Sequence, residues 1–397
     1  MEKENKGRIV MAVSNDLLTD QRVERHRRAL TEAGYTVVVL GRGDVPTRHV
    51  RGWRFYLELN RGLRRRVAAE RPDIVWANDT DTLPGCWWAV KRLTLGPTPS
   101  REGRRGKRKV KLAMDAHELF PEVPEIQHKP FVKWVWRTVE RWLMPQCDAL
   151  LTVCDSIAEH YRLHLGVSMT VVRNLSSLTP GPSPVGEGSG YPLHSTPLSN
   201  RRGAGGEAVL LYQGKVNVGR GVDWAIDALE WLPECRLVVA GDGDLLEEMK
   251  AYAAAKPWRD RISFTGRLMP AELHDLTPQA DVGLVMLEDL GLSYHYALPN
   301  RIGDFIQAGV PMVVSDLPEM SAVVKRYGVG EVMKMPHPPT PSPIGEEGKA
   351  LAQAVERVLA REWTDADFEA ARRDMDWNKE KQLLIKIANE LCSTTSL

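Results

Sequence analysis

Val209-Leu210-Leu211-Tyr212-Gln213-Gly214-Lys215-Val216-Asn217-Val218-Gly219-Arg220-Gly221 is the stretch on which the fold reading turns. Its opening residues form an apolar run of the kind shown by strands buried on both faces. Gly214, Gly219 and Gly221 then punctuate a turn, and Val222, Ala225, Ile226 and Leu229 follow at helical spacing. Strand, glycine turn and helix make one βα unit, and repeated βα units build a parallel sheet. Working outward, short apolar runs recur with longer amphipathic stretches between them. In the first half they are 8–14, 36–41, 73–78, 111–116, 149–154 and 169–174; in the second, 209–214, 236–243, 262–266, 282–287 and 311–316. Two such series predict an α/β protein with two Rossmann-like, doubly wound parallel-sheet domains.

The chain has 397 residues, 43% hydrophobic and 26% charged, which suits two globular domains and excludes disordered and disulfide-scaffold classes. No apolar run approaches the ~20 residues of a membrane span. The start, MEKENKGRIVMAVSND, reads as no secretory signal. Five cysteines without a C-x-x-C pair favour a reducing, cytoplasmic setting and argue against a zinc ribbon. The net charge of +1 divides unevenly: 31 Lys+Arg against 22 Asp+Glu in residues 1–200, and 22 against 30 in 201–397. A basic first half suits an anionic partner, or is simply a set of basic surface loops.

The expected organisation is a domain over 1–177, a Pro/Gly-rich linker over 178–207, a second domain over 208–376 and a terminal helix over 377–397 able to pack on the first domain. PGPSPVGEG (180–188) recurs as PTPSPIGEEG (339–348), with a weaker echo at 96–103. These read as tolerated loop insertions, to which no chemistry is assigned.

Neither a G-x-G-x-x-G fingerprint after the first strand nor a P-loop is present, which disfavours those types of NAD and ATP chemistry. The run Gly214–Gly221 is more telling. Glycines there leave backbone N–H groups facing outward, and Lys215 and Arg220 add full positive charge, as a diphosphate site requires. The plainer reading is a glycine turn with two solvated cations. In Leu298-Pro299-Asn300-Arg301-Ile302-Gly303-Asp304, Pro299 and Asn300 suit a helix start and Arg301 offers a second anion site. Asp304 lies one turn in, where it can accept from sugar hydroxyls or merely favour the helix dipole.

With these motifs in hand, the chain resembles the family-4 glycosyltransferases of the GT-B fold, over about residues 8–177 and 208–335. The family reads G-R-L-x-x-x-K-G where this chain reads G-K-V-N-V-G-R-G, and E-A-M-A-x-G-x-P-V where it reads D-F-I-Q-A-G-V-P-M (304–312). Gly241-Asp242-Gly243 matches the family's G-x-G turn, and Phe264-Thr265-Gly266 its F-x-G strand end. The resemblance implies two domains facing across a cleft and retaining transfer of a sugar from a nucleotide-sugar donor, with no cofactor and no obligate metal. It makes Gly214, Lys215, Arg220, Gly241, Gly243, Asn300, Arg301 and Asp304 donor-binding residues, with Lys215 and Arg220 on the diphosphate and Asp304 on the ribose. It places His117 near the donor sugar as a catalytic residue, where the plainer reading is a capping or buried loop histidine. One departure stands out: the family's second glutamate is Tyr296 here, which bears on the donor-sugar contacts. No positioned carboxylate nucleophile is left at that place, which favours front-side attack by the acceptor.

Acceptor-side candidates follow the strands of the first domain: Asn15, Asp16, Asp20 and Arg22, then Asn78 and Asp79, then Glu118 beside His117. Each acid has a plainer reading as a helix cap. KPFVKWVWRTVERWL (129–143) suits an anionic membrane surface through Phe131, Trp134, Trp142 and its cations, or a packed helix with solvated cations. With the basic run 101–111, it fits a lipid-linked or saccharide acceptor handled at the inner face of the cell membrane, in cell-surface polysaccharide or glycolipid assembly. No nucleic-acid module appears. A non-catalytic nucleotide-sugar-binding partner and a nucleotide-sugar epimerase are the alternatives. Base, sugar, acceptor and oligomeric state are not legible.

Overall fold

A computed structural model describes residues 5–14, 20–95, 109–175, 207–334 and 345–393. The chain divides into two compact units. One holds the described residues of 1–174 and 377–397 with Gly291–Ser293; the other holds those of 175–290 and 294–376.

The first unit is built on a six-stranded, all-parallel sheet: β1 (Arg8–Ala12), β2 (Thr36–Leu40), β3 (Ile74–Asn78), β4 (Lys111–Ala116), β5 (Ala149–Thr152) and β6 (Thr170–Val171), in the order β2-β1-β3-β4-β5-β6. Parallel neighbours need crossovers, and helices supply them: α1 (Gln21–Glu32), α2 (Gly52–Ala69), α3 (Leu83–Leu95), α4 (Pro130–Leu143) and α5 (Asp155–Leu165). Every residue of β3 is buried, and Met11 of β1 pairs with Trp76 of β3 at the middle of the sheet. A sheet covered on both faces explains why its strands read as continuous apolar runs rather than alternating ones.

The second unit repeats the plan. Its strands are β7 (Ala208–Gln213), β8 (Cys235–Ala240), β9 (Ile262–Gly266), β10 (Val282–Val285), β11 (Met312–Ser315) and β12 (Gly330–Met333), all parallel, in the order β12-β11-β10-β7-β8-β9. Its helices are α6 (Val222–Ala228), α7 (Leu246–Ala254), α8 (Pro270–Leu276), the last two residues of the short α9 (Leu292–His295), whose first two count with the first unit, then α10 (Arg301–Ala308), α11 (Pro318–Tyr327), α12 (Glu346–Ala360) and α13 (Asp365–Asp374). Leu210, Tyr212, Leu237, Val239 and Leu284 of the sheet pack with Ile226 of α6 and Leu351 and Val355 of α12. The edge strand β12 was absent from the sequence reading. It is short and only partly buried, and Glu331 breaks its apolar run by pairing with Arg357 at 3.0 Å.

The terminal helix α14 (Trp377–Ser393) belongs to the first unit. Leu384, Ile387 and Leu391 are its buried stripe. Trp377 stacks on His26 of α1 at 5.9 Å, the Glu380 carboxylate accepts the Arg173 backbone N–H at 3.0 Å, and Tyr35 donates to Asn389 at 2.8 Å. Residues 178–206 of the expected linker, the 96–103 and 180–188 inserts, and 101–108 of the basic run lie outside the described residues.

Candidate functional site

In the first unit the candidates gather at the carboxyl ends of β3 and β4, where open α/β sheets bind ligands. Asp115, near the end of β4, is fully buried. A carboxylate there needs a partner, and Arg22 in the first turn of α1 provides it. The guanidinium donates to Asp115 from Nη2 at 2.6 Å and Nε at 2.9 Å, and its Nη1 donates to the Val172 carbonyl at 2.8 Å. Burial pushes the Asp115 carboxyl up, but Arg22 and His117 outweigh it and hold it well below the usual carboxylate range. Arg22 is therefore a buried brace and presents no exposed charge to an acceptor. His26, one turn along α1, sits with Nδ1 3.4 Å from Asp115 Oδ2, and burial and Arg22 keep its pKa well below the ordinary value.

Asp79 follows β3 with φ +62°, a left-handed backbone that non-glycine residues seldom adopt. The turn pays in hydrogen bonds: the Asp79 N–H donates to the Asp115 carbonyl at 2.9 Å, and the Asp79 carboxylate accepts the His117 backbone N–H at 2.8 Å. The His117 ring lies between two acids, Nδ1 3.2 Å from Asp79 Oδ2 and Nε2 3.4 Å from Asp115 Oδ2. Burial pulls the imidazole pKa down, yet the two carboxylates outweigh it and raise it to about 9. Burial raises Asp79 to about 6, against the pull of His117.

The remaining first-unit candidates have local duties. Asp20 caps α1, accepting the Val23 N–H at 3.1 Å. Asn78 is buried and donates to the Ala12 carbonyl at 2.9 Å. Glu118 is half-buried beside His117. Asn15 and Asp16 lie outside the described residues. Behind the site, Glu140 of α4 is buried and accepts from Thr80 and Tyr161, each at 2.8 Å; burial raises it to about 7 despite those bonds. Asp115, His26 and Glu140 were missed as functional candidates. The one signal in the sequence was an acid inside the apolar run KLAMDA.

In the second unit the glycine turn after β7 runs through Gly214 (φ +135°), Gly219 (φ +74°) and Gly221 (φ +63°), conformations that favour glycine. Gly241 serves a closer purpose than expected: a Cβ there would lie 1.7 Å from the Gly214 carbonyl oxygen. Gly243 likewise faces the Val216 carbonyl, with a Cβ at 2.3 Å. These two glycines let the turn after β8 pack backbone to backbone on the turn after β7. Lys215 is exposed and its ammonium donates to Asp242 at 2.7 Å. Arg220 stacks over the Tyr294 ring at 4.7 Å.

Arg301 differs most from its sequence reading. It is buried, its Nη1 and Nη2 donate to the carbonyls of Gln213 and Met286 at 3.0 and 3.1 Å, and it covers the Tyr212 ring at 4.8 Å. It ties the ends of β7 and β10 together rather than standing free at the start of α10. Asn300 is exposed, has helical dihedrals and makes no side-chain cap. Asp304 is held by Gln213, whose Nε2 donates to it at 2.9 Å while its Oε1 accepts from Thr277 at 3.0 Å. Gln213 was not singled out from sequence. Tyr296 stands edge-on to His295 at 4.9 Å. Among the described residues, no group of three His, Cys, Asp or Glu side chains could hold a metal ion, and no helix is long and apolar enough to cross a membrane.

Residues 12–175 match the family model described as Glycosyl transferase 4-like domain, and residues 207–361 match that of Glycosyl transferases group 1. Alpha-D-kanosaminyltransferase of Streptomyces kanamyceticus is 25% identical over 251 residues, covering 61% of this chain but 56% of that protein. The chain thus matches little more than half the length of that relative. Glycogen synthase of Mycobacterium tuberculosis is 27% identical over 338 residues, covering 73% of this chain and 72% of its own. Among solved structures, Anabaena HepE in complex with UDP and glucose aligns with a TM-score of 0.64 at 14% identity, over 98% of this chain and 100% of that one. That likeness is one of fold.

Proposed function

The chain belongs to the group 1 glycosyltransferases, and we propose that it moves a sugar from a nucleotide-sugar donor to a saccharide or lipid-linked acceptor with retention of configuration. The observation that carries this reading is the glycine turn at Gly214–Gly221 with Lys215 and Arg220, backed by Asp304 held one turn into α10. The leaving group is a nucleoside diphosphate, and Lys215 and Arg220 offset the charge that grows on it. Lys215 is not lost to Asp242: an exposed pair is worth about 0–1 kcal/mol, so a doubly charged phosphate competes for it readily. HepE's complex with UDP makes UDP the first nucleotide to try. No resident metal enters the scheme. The acceptor hydroxyl attacks from the face the diphosphate leaves. Its oxygen bonds to the anomeric carbon as the bond to phosphate breaks, and its proton passes to the departing phosphate oxygen.

We place this activity in cell-surface polysaccharide or glycolipid assembly, at the cytoplasmic face of an anionic membrane. The support is α4, where Phe131, Trp134 and Trp142 are 73%, 61% and 71% exposed on the face that also carries Arg137 and Arg141. Aromatic rings and cations together suit a headgroup boundary. The test of the donor site is calorimetry with UDP and UDP-glucose. Lys215→Ala and Arg220→Ala are each expected to weaken binding about tenfold, the loss of one charge-assisted hydrogen bond. No binding by any nucleoside diphosphate, or variants that bind as tightly as the parent, would sink the proposal.

A further inference from the structure

We infer that His117 is locked as an imidazolium by Asp79 and Asp115, with Asp79 its positioning residue, and that it is not the proton acceptor for the incoming hydroxyl. This deepens the proposed transferase reading, on which His117's presence at the reaction rests; the charge state itself does not depend on it.

Geometry makes the case first. An ionised carboxylate within ion-pair distance of each ring nitrogen favours the imidazole that carries a proton on both, because that form alone is positive. Asp79 Oδ2 stands 3.2 Å from Nδ1, and Asp115 Oδ2 stands 3.4 Å from Nε2, both as ion-pair contacts; Nε2 is shut away from solvent with no hydrogen-bond partner, so the charge of Asp115 is what faces it. The backbone is held as well, because Asp79 Oδ1 accepts the His117 N–H at 2.8 Å. One aspartate therefore grips the residue at the main chain and at the ring. Its left-handed backbone makes this possible by turning its own N–H onto the Asp115 carbonyl, which links the two acids.

The surrounding charges agree. His117 is faced by Asp79 and Asp81 after β3, by Asp115 of β4, by Glu118 next in sequence, and by Arg22 and His26 of α1. Arg22 is the one full opposing cation in this set, and three of its N–H groups are spent on Asp115 and the Val172 carbonyl. His26 stays neutral because burial and Arg22 lower its pKa. With Asp79 titrating at about 6 and His117 at about 9, the pair is ionised on both sides between those values. A base must arrive unprotonated, and this imidazole loses its proton only above that window. Asp79 thereby moves from candidate acceptor ligand to the group that sets the charge of its neighbour.

The experiment is an NMR titration of the full chain labelled with carbon-13 at histidine Cε1, with His117→Gln identifying one resonance among the ten histidines. The expected result is a His117 midpoint near 9 in the parent, and a fall of at least about one pH unit in Asp79→Asn, each unit being a tenfold change in proton affinity. A structural role alone would not shift that midpoint selectively. A parent midpoint at the ordinary histidine value or below overturns the inference, and so does a midpoint unmoved in Asp79→Asn. Should Asp79→Asn not fold, the parent titration decides alone. UDP calorimetry on the same samples reports on donor binding separately, so a failed transferase reading and a failed charge assignment give different signatures.

Discussion

Replacing Arg22 by methionine removes the guanidinium from a carboxylate that is fully buried while filling most of the same space. Arg22 is 2% exposed and Asp115 0%, and the three N–H groups at 2.6, 2.8 and 2.9 Å are all lost. Breaking one side of a buried pair leaves a charge in a poor solvent and costs about 3–5 kcal/mol. At 1.4 kcal/mol per factor of ten, that is about two to three and a half orders of magnitude in the opening equilibrium. Because the chain has two units, global unfolding need not be two-state, so the measurement should be local. Hydrogen exchange read on segments 21–32 and 111–116 provides that. The pH dependence follows from the sign of the shift. In the parent, Asp115 is depressed, so its contribution is present above the ordinary carboxylate pKa and lost only as pH falls through the lowered value. In Arg22→Met, burial still pushes the carboxyl up and, with Arg22 gone, His117 is the main group opposing it, so acid relieves part of the penalty and the gap to the parent should narrow as pH falls. The double variant Arg22→Met, Asp115→Asn should be more stable than the single. A loss of protection under about tenfold, a gap that widens in acid, or a double variant weaker than the single would refute the reasoning.

Two further outcomes follow from packing and exposure. Gly241→Ala drives a Cβ into the Gly214 carbonyl, a backbone atom that cannot swing aside. It should cost about 1–3 kcal/mol or more and lower UDP affinity with it, and an unchanged melting midpoint would contradict the close approach. The triple variant Phe131→Ser, Trp134→Ser, Trp142→Ser should leave the melting midpoint nearly unchanged, since exposed substitutions stay within about 0.5 kcal/mol each. It should also lose co-sedimentation with phosphatidylglycerol vesicles, and undiminished sedimentation would remove the membrane role from α4.

The two sheets were legible because their central strands are covered on both faces, which leaves a continuous apolar run as the imprint. Eleven of the twelve strands carry that imprint; β12 does not, because at the sheet edge Glu331 can reach water and Arg357. The glycine turn was legible for a similar local reason, since Gly219 and Gly221 answer to their own dihedrals. Gly241 and Arg301 were legible as special positions but not in their duties. Nothing near Gly241 in sequence announces that Gly214 packs against it, and nothing near Arg301 announces that its guanidinium is spent on carbonyls of β7 and of the turn after β10.

The same division separates the candidate groups of the second unit from those of the first. Sequence alone determined the architecture and the cationic glycine turn, because periodicity, glycine dihedrals and neighbouring charges are properties of residues a few positions apart. Only tertiary structure decided the charge state at His117. That state depends on Arg22 and Asp115, 93 residues apart and both withdrawn from water, and on Asp79, 38 residues before the histidine. Charge at a buried group is set by what folding brings within a few ångströms and by the solvent it excludes, and neither is written in the spacing of the chain.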